Sequence, residues 1–346
     1  MSRSTRARFV ATAGALSLLA TGCGGGGDSS GSDGGGGGGE GTQSITVLLP
    51  NPSAMNVFAL CAARGEGYLE EEGLDVTVEA VDGSGAVLQA MVAGQAQIGL
   101  PGPGPVLNAR NGGEDVRMFF NVFAQSLFGL VVPEESSAES VEDLEGTTVG
   151  VGTAEGAEVS YARGILADAG LEEDSNYTML PVGDGGQAVA AFERDDIQSY
   201  SAAVSDMAIM EARGLPLREI TPDKFLAFFG NGYAATGEYM DENPEVIQGF
   251  TNALLKGNEW ALDNKEGTIE HCAEMNPEEG EDTDLANSLY DALTARSQPA
   301  GDEPVGAFPA EGWEAWEQNL IDAGDLSAPM DDLEAAYTNE FVESAN

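Results

Sequence analysis

The sequence is poor in the side chains that most often perform catalysis or bind transition metals. His271 is the only histidine among 346 residues, and there are three cysteines. A nucleophile paired with histidine and a histidine-rich metal site are therefore nearly excluded, because each needs imidazole beside its other members. We expect a surface role for His271 and no catalytic residue, no metal site and no cofactor.

Positive charge is also scarce. Lysine and arginine number 14 against 59 aspartates and glutamates, and the formal net charge is −45. A field of this sign repels nucleic acid and anionic lipid surfaces, so neither is an expected partner. Because the acids are spread along the whole chain, a surface hydrated for a saline environment is the favoured explanation. Steering of a cationic ligand is the alternative.

Apolar runs long enough to span a bilayer are absent beyond the amino terminus. There, Arg3, Arg6 and Arg8 precede the short apolar segment Phe9–Ala20, and Cys23 follows in LATGC. This order is typical of a secretory signal. It also resembles the lipobox of bacterial lipoproteins, which implies cleavage before Cys23 and lipidation of its sulfur. A plain secretory signal with an incidental cysteine is the alternative.

The segment after the signal is too simple in composition to fold. Residues 23–43 are mostly glycine and serine, and such a segment behaves as a flexible coil. We therefore predict a signal peptide over 1–22 and a tether over 23–43. The folded part is expected to work on the outer side of the cytoplasmic membrane, to which a lipid on Cys23 anchors it.

From Ser44 onward, strand and helix patterns alternate. Ile45–Leu49 is a continuous apolar run typical of a strand covered on both faces, and Leu74–Ala80 is the next strand pattern. Alternation with helices predicts a parallel sheet and the α/β class. An internal echo between Val81–Met91 (VDGSGAVLQAM) and Val182–Phe192 (VGDGGQAVAAF) favours two related lobes over chance similarity of alanine- and glycine-rich sequence.

Two related lobes require the chain to cross between them twice. The pattern is interrupted near Phe128–Val132 and near Phe229–Ala235, which places the two crossings. We predict that lobe 1 comprises 44–130 and 234–346 and that lobe 2 comprises 131–233. The helical carboxyl-terminal part is expected to pack on lobe 1.

Three segments resemble a known family. GYLEEEGLDVTVE from Gly67, GSGAVLQAMVAGQAQIGLPG from Gly83 and SVEDLEGTTVGVGTAEGAE from Ser140 closely resemble the solute-binding lipoproteins of ABC importers. The subgroup is the one similar to thiamine-precursor (NMT1/THI5-like), sulfonate or taurine, and riboflavin binding proteins. The resemblance implies a type II periplasmic-binding-protein fold, with two lobes of parallel-rich sheets joined by a two-crossover hinge. It also implies a monomer whose partners are a small solute and the transmembrane subunits of an ABC permease.

Candidate ligand contacts lie in the loops after the strands, because the carboxyl ends of parallel strands line the ligand crevice of α/β folds. In lobe 1 the candidates are Asn51, Ser53, Ser84, Pro101 and Gly102. Ser53 also fits a helix cap and Ser84 a tight turn. The proline-rich loop 101–105 is short of N–H donors and suits a flat apolar wall.

In lobe 2 the candidates are Thr153, Ala154, Glu155, Asp184 and Asp206. Free backbone N–H groups and the Thr153 hydroxyl are expected to converge at Gly152–Gly156, ahead of a helix. Asp206 suits a ligand amine, with a surface or capping role as the alternative. Phe128 and Tyr233 lie near the crossings and are candidates for stacking on a ring, with core packing as the alternative.

Two cysteines remain if Cys23 is lipidated. Cys61 falls on an apolar helix pattern, and Cys272 lies beside His271. The favoured expectation is two buried free thiols, and a disulfide, which an oxidising location permits, is the alternative.

These features together predict a binding protein rather than an enzyme. Its function would be to capture a pyrimidine-like thiamine precursor or a related heterocycle in the cleft between the lobes and to deliver it to an ABC permease. A sulfonate or taurine binding protein is the first alternative. A pyrimidine-synthesising enzyme and a tethered sensor on the same fold are the others.

Overall fold

The computed structural model describes residues 41–226, 228–299, 301 and 303–345. The predicted signal peptide, Cys23 and nearly all of the predicted tether lie outside these residues. The strands of the described part are β1 (Gln43–Leu49), β2 (Leu74–Ala80), β3 (Ile98–Gly99), β4 (Val116–Asn121), β5 (Phe128–Pro133), β6 (Thr148–Val151), β7 (Thr178–Pro181), β8 (Ser199–Ala203), β9 (Leu217–Glu219) and β10 (Gly232–Thr236).

The strands form two five-stranded sheets of the same design. The first sheet has the order β2-β1-β3-β10-β4 and the second has the order β7-β6-β8-β5-β9. In each sheet the first three strands are parallel, and the fourth is antiparallel to both of its neighbours. The predicted α/β class and the pair of parallel-rich sheets are therefore confirmed.

The fourth strand of each sheet follows, along the chain, a strand of the other sheet. Strand β5 follows β4 of the first sheet along the chain but joins the second sheet, and β10 returns to the first. The crossings therefore lie in residues 122–127 and 220–231. Both precede the boundaries of the predicted lobes, because Phe128 already pairs with Ala203 of the second sheet and Gly232 with Asn121 of the first.

Helices connect the strands and form the carboxyl-terminal part. They are α1 (Phe58–Gly65), α2 (Tyr68–Glu71), α3 (Gly83–Val92), α4 (Pro103–Asn111), α5 (Ala157–Asp168), α6 (Gly186–Glu193), α7 (Val204–Ala212), α8 (Asp223–Leu226), α9 (Gly237–Glu242), α10 (Pro244–Asp263), α11 (Lys265–Met275), α12 (Pro277–Glu281), α13 (Thr283–Ser297), α14 (Ala310–Asp322) and α15 (Glu340–Ala345). Short 3₁₀ turns cover Met55–Val57, Val141–Leu144 and Glu334–Ala336.

One predicted loop is partly helical. Residues 101–105 were expected to be a loop that forms a flat apolar wall, but α4 begins at Pro103. Proline is tolerated in the first turn of a helix because the N–H groups of that turn have no partner within the helix. Only Pro101 and Gly102 stay in the loop after β3.

The two cysteines of the described part form a disulfide. Cys61 on α1 is bonded to Cys272 on α11, 211 residues further along the chain. The favoured expectation of two free thiols was therefore wrong. Burial of Cys61 on an apolar helix face suggested a free thiol, but α11 packs on the same face of α1 and brings its own cysteine there.

The carboxyl-terminal helices contact both halves of the molecule. Helices α10 and α11 pack on α1, as expected for a buttress of the first sheet, but α13 packs on α7 and α14 packs on both α4 and α5. The side chains of Trp313 and Trp316 on α14 are fully buried. No helix in the described ranges is long and apolar enough to cross a membrane.

Candidate functional site

A narrow cavity lies where the loops of the two sheets meet. It is reached by the chain just after β1, β2 and β3 of the first sheet and β6, β7 and β8 of the second. These are carboxyl ends of parallel strands, the edge at which α/β sheets bind ligands. Seven of the predicted contact residues line this inner cavity: Asn51, Ser53, Ser84, Phe128, Thr153, Asp184 and Asp206.

The inner cavity is small and continues into a wider groove. It offers about 50 Å³ to water-sized groups, which is room for about three water molecules. The outer groove offers about 900 Å³ and shares five lining residues with the cavity: Asn51, Ser53, Thr153, Asp184 and Asp206. A compact group therefore fits inside while a larger part of the same molecule occupies the groove.

The other five predicted residues lie outside the inner cavity. Gly102 donates its N–H to Ser84 Oγ at 3.1 Å and lies so close to Ala157 that a side chain at position 102 would collide with it. Pro101 is buried beside it, where its carbonyl accepts the Gly232 N–H. Ala154 and Glu155 are exposed and line a separate depression near Gly85.

Tyr233 belongs to the core of the first sheet. Its ring packs edge-on against Phe250, with ring centroids 5.1 Å apart, and is tilted against Phe120. Since the side chain is 1% exposed, the alternative of core packing describes its position. The candidate stacking residue that does face the cavity is Phe128.

Glycine allows the loops of the two sheets to approach closely. Gly83 has a left-handed backbone with φ of 82°, and a Cβ there would stand 2.6 Å from Thr153 Oγ1. Two residues on, the Gly85 N–H donates to the Glu155 carbonyl at 3.2 Å. The first turn of α3 thus rests directly on the loop after β6.

The apolar side of the cavity comes from the first crossing and the start of β5. Phe123 and Leu127 of the crossing line the cavity together with Phe128, and the amide of Asn231 reaches it from the second crossing. The crossings are hydrogen-bonded to each other, since the Gly230 N–H donates to the Phe123 carbonyl at 2.8 Å. An aromatic surface thus lies where the two sheets are joined.

A buried carboxyl group that was not predicted lies at the centre of the site. Glu158, in the first turn of α5, is 9% exposed and lines the cavity. Its Oε1 accepts the Thr153 N–H at 3.1 Å. Burial raises the pKa of Glu158 to about 7, and the negative charge of Asp184 acts in the same direction.

Two further carboxyl groups join Glu158. Burial raises the pKa of Asp184, and burial together with the charge of Asp184 raises that of Asp206. The hydrogen bonds that Asp206 accepts act in the opposite direction, because they favour its charged form and lower its pKa. Glu158, Asp184 and Asp206, here called the carboxyl trio, form the acidic wall of the cavity on the second sheet.

Several helix and turn starts near the cavity are occupied by the chain's own carboxyl groups. Asp206 accepts the N–H of Ala203, at the start of α7, at 3.2 Å and that of Gly185, at the start of α6, at 3.0 Å. Glu279 accepts the Met55 N–H at 2.9 Å, where the first 3₁₀ turn begins. The expectation of free N–H groups at Gly152–Gly156 was therefore wrong at Thr153, because Glu158 takes that N–H.

Among the described residues that line the cavity, the buried polar atoms without a partner are two amide oxygens, of Asn56 and Asn231, and two hydroxyl groups, of Ser53 and Thr153. Asn56 donates its amide nitrogen to Asn51 Oδ1 at 3.2 Å, and Asn231 donates its own to the Leu100 carbonyl at 3.2 Å. The Oδ1 atoms of both residues are buried without a partner, as is Thr153 Oγ1. The two amide oxygens can accept hydrogen bonds from a ligand, whereas the Thr153 hydroxyl can either accept or donate one.

Sequence reasoning missed Glu158, Asn56 and Asn231 for different reasons. Glu158 ends the segment GTAEGAE, where an acid in the first turn of a helix is normally exposed and favourable. Asn56 lies within an apolar helix pattern, and Asn231 lies in FGNGYAA, which indicated a crossing. The available signal was a polar residue inside each otherwise buried segment.

The described residues contain no grouped set of side chains suited to hold a metal ion. In residues 41–345, apart from the three positions that the structure leaves undescribed, no three histidine, cysteine, aspartate or glutamate side chains are grouped so as to hold a metal ion. Two members of the carboxyl trio, Glu158 and Asp206, already accept hydrogen bonds from backbone N–H groups.

The model of the family described as NMT1/THI5 like matches residues 54–268. This range includes both sheets apart from β1 and covers most of the residues that line the cavity. The chain belongs to the NMT1/THI5-like family. The predicted resemblance to that family is thereby confirmed.

Named relatives of this NMT1/THI5-like protein are binding proteins. It is 25% identical over 287 residues to the riboflavin-binding protein RibY of Chloroflexus aurantiacus, covering 81% of this chain and 80% of the relative. It is 24% identical over 297 residues to the formylaminopyrimidine-binding protein of Halalkalibacterium halodurans, covering 84% of this chain and 88% of the relative.

Solved structures share the fold of this NMT1/THI5-like chain. The alkanesulfonate-binding protein SsuA from Xanthomonas axonopodis pv. citri, bound to MOPS, superposes with a TM-score of 0.67 at 18% identity. The match covers 86% of this chain and 98% of that protein. The protein thus has the periplasmic-binding-protein fold that the sequence resemblance implied.

Proposed function

We propose that this protein captures a small organic solute in the inner cavity on the outer side of the cytoplasmic membrane and delivers it to an ABC permease. The observation that carries the proposal is the cavity itself, which lies between the strand ends of two sheets and has unpartnered acceptors inside. The riboflavin and formylaminopyrimidine that two relatives bind, by their names, support a small organic ligand.

The cavity suits a nitrogen heterocycle of the pyrimidine-like class. Its aromatic side, at Phe123 and Phe128, matches the face of a ring. Its polar side, at Asn56, Asn231 and Thr153, accepts hydrogen bonds from amino substituents. A sulfonate, the first alternative, would bring a negative charge beside the carboxyl trio, which like-charge repulsion opposes.

Capture would proceed by a shift between open and closed forms. Contacts of the ligand with the loops of both sheets favour the closed form, in which the Gly85 N–H reaches the Glu155 carbonyl. The crossing segments 122–127 and 220–231 would act as the hinge. The two lobes that move would correspond to the two predicted lobes. The boundaries between them would follow from the sheet that each strand joins.

Attachment to the membrane would come from a lipid on Cys23. A Cys23→Ser variant is expected to leave the membrane fraction and to appear in the soluble extracytoplasmic fraction, while the wild type stays with the membrane. Immunoblots of the separated fractions measure where the protein is found, and labelling with a radioactive fatty acid measures whether it carries a lipid. If the variant stays in the membrane fraction and is still labelled, the lipid anchor on Cys23 is contradicted, whereas the proposal of solute binding is not affected.

Native mass spectrometry of the full chain, extracted gently from its membrane, tests the proposal directly. We expect a copurified organic solute in the mass range of a heterocycle, and we expect the same compound to raise the melting temperature of the stripped protein. Copurification of ABC permease subunits separates an importer from a tethered sensor. Turnover of the copurified compound, or the absence of any solute that stabilises the protein, would overturn it.

A further inference from the structure

The groups around the inner cavity disfavour a negatively charged ligand. Asp206 closes the starts of α6 and α7 beside it through the N–H groups of Gly185 and Ala203, and Glu158 takes the Thr153 N–H in the loop before α5. Such helix starts would otherwise attract a negatively charged ligand. No lysine, arginine or histidine is found among the described residues that line the inner cavity.

The cavity also presents an excess of acceptors. Asn56 and Asn231 are 5% and 4% exposed, and their amide nitrogens are fixed by Asn51 and the Leu100 carbonyl. Their oxygens face the cavity without a partner, like Thr153 Oγ1. A buried acceptor without a partner is unfavourable, so a ligand rich in N–H donors would gain from each of these contacts.

The charged and titratable groups around the trio are themselves mostly acidic. Facing it are Tyr200 from β8 and Asp82 from the loop before α3, and across the outer groove Arg213, Glu278, Glu279 and Asp282. Arg213 is exposed and is the one basic residue in the described lining of the groove. No basic side chain lies among the described residues that line the inner cavity, so the trio is neutralised either by its own protons or by a cation that enters the cavity.

We propose that the inner cavity selects a cationic nitrogen group, such as an amidinium or a protonated aminoheterocycle, and that its capture by Glu158, Asp184 and Asp206 releases a proton to solvent. This inference rests on the proposed function, because it names the class of solute that the same cavity would take. It assigns to the acidic wall the discrimination against anions such as sulfonates.

The proton balance follows from burial. In the empty cavity the trio holds protons into the neutral range, as the pKa of Glu158 of about 7 indicates. A cation that arrives already protonated favours the charged carboxylate, so the carboxyl proton leaves for bulk water and an ion pair remains. Ligand affinity therefore rises with pH until the trio is ionised without a ligand.

A matched set of probes tests the charge preference. Benzamidine, benzamide and benzoate have similar size and shape and are respectively cationic, neutral and anionic at pH 7. Titration calorimetry of the full chain in detergent is expected to give benzamidine a dissociation constant at least tenfold below that of benzamide, with no detectable binding of benzoate. The benzamidine constant should fall about tenfold between pH 6 and pH 8, with proton release visible as a dependence of heat on buffer ionisation enthalpy.

A conservative variant assigns these effects to the trio. Glu158→Gln keeps the side-chain oxygen that accepts the Thr153 N–H but removes the titrating group, so it should bind benzamidine at least fivefold more weakly and with less pH dependence. Glu193→Gln, exposed on α6 of the same sheet, is the matched control and should behave as wild type. Circular dichroism and melting temperatures confirm that both variants are folded.

The outcomes separate this inference from the proposed function. Equal or tighter binding of benzamide or benzoate, or a benzamidine affinity that does not change with pH, overturns the cation selection while solute binding stands. A copurified anionic or neutral solute does the same. If no probe binds and native mass spectrometry finds no solute, both proposals fail. Stabilisation by Ca²⁺ or Zn²⁺ that Glu158→Gln abolishes would assign the trio to a metal ion instead.

Discussion

The two walls of the inner cavity share a backbone design and differ in chemistry. Each is built from loops that follow three parallel strands, β1–β3 in one sheet and β6–β8 in the other. The wall of the first sheet presents neutral amides and hydroxyls, including Asn56 and Ser84, whereas the wall of the second presents the carboxyl trio. Topology therefore decides where a ligand can lie, and the side chains of one wall decide its charge.

The largest effect is expected from removing the disulfide beneath the first wall, since no disulfide supports the second wall in the described residues. Replacing Cys61 and Cys272 together by alanine is expected to lower the free energy of unfolding by about 4 kcal/mol, because the disulfide closes a long loop. Hydrogen exchange should accelerate in α1 and α11, beneath the first wall, and stay unchanged in α5, beneath the second. A loss below 1 kcal/mol, or equal acceleration in α5, would contradict this.

The pH dependence of stability should come from the acidic wall. A carboxyl pKa that is higher in the folded state than in the unfolded state gives stability that is complete at low pH and is lost as pH rises. The rise for Glu158 from 4.5 to about 7 corresponds to a loss of about 3 kcal/mol between pH 4.5 and pH 7.5. In denaturant titrations, Glu158→Gln should flatten this slope, and an unchanged slope would show that Glu158 does not titrate as stated.

A smaller effect is expected from removing the helix cap in the second wall. Asp206→Ala leaves the N–H groups of Ala203 and Gly185 without an acceptor, which should cost about 2 kcal/mol. The comparison is best made at pH 6, where the raised pKa keeps the carboxyl largely protonated and charge plays little part. The exposed control Glu193→Ala should stay within about 0.5 kcal/mol of wild type. Equal losses for the two variants would refute the capping role.

The smallest effect is expected from the matching change in the first wall. Ser84→Ala removes the acceptor of a single N–H, that of Gly102, and should cost about 1 kcal/mol by chemical denaturation. Since Ser84 does not titrate near neutrality, the loss should be the same at pH 5 and pH 8. A loss as large as that of Asp206→Ala, or one that varies with pH, would remove the distinction between the walls.

Most of the fold was readable from local patterns. The strand pattern at Leu74–Ala80 matches β2 residue for residue, and the apolar run Ile45–Leu49 lies within β1 and ends with it. The internal echo anticipated the repeated order of the two sheets. These features depend on hydrophobic periodicity and helix-start signals, which act over a few residues and are therefore visible in a linear sequence.

The candidate site was only partly readable. Loop position identified Thr153, Asp184 and Asp206, because strand ends can be located from the pattern. Pro101, Gly102 and Tyr233 were predicted as ligand contacts but do not line the inner cavity. The Gly102 N–H is bonded to Ser84, and the ring of Tyr233 packs in the core against Phe250. Burial of Glu158 could not be read from its helix turn, since an exposed acid at that position looks the same in sequence.

By itself, the sequence determined the alternation of strands and helices, the two related halves and the family to which the chain belongs. Only the tertiary structure decided that Cys61 meets Cys272 and that Glu279 closes the turn at Met55, 224 residues away. It also decided which of many acids are buried together. Local propensity fixes elements over a few residues, whereas burial and charge at a site are set by groups that are distant in the chain and meet only when the sheets pack.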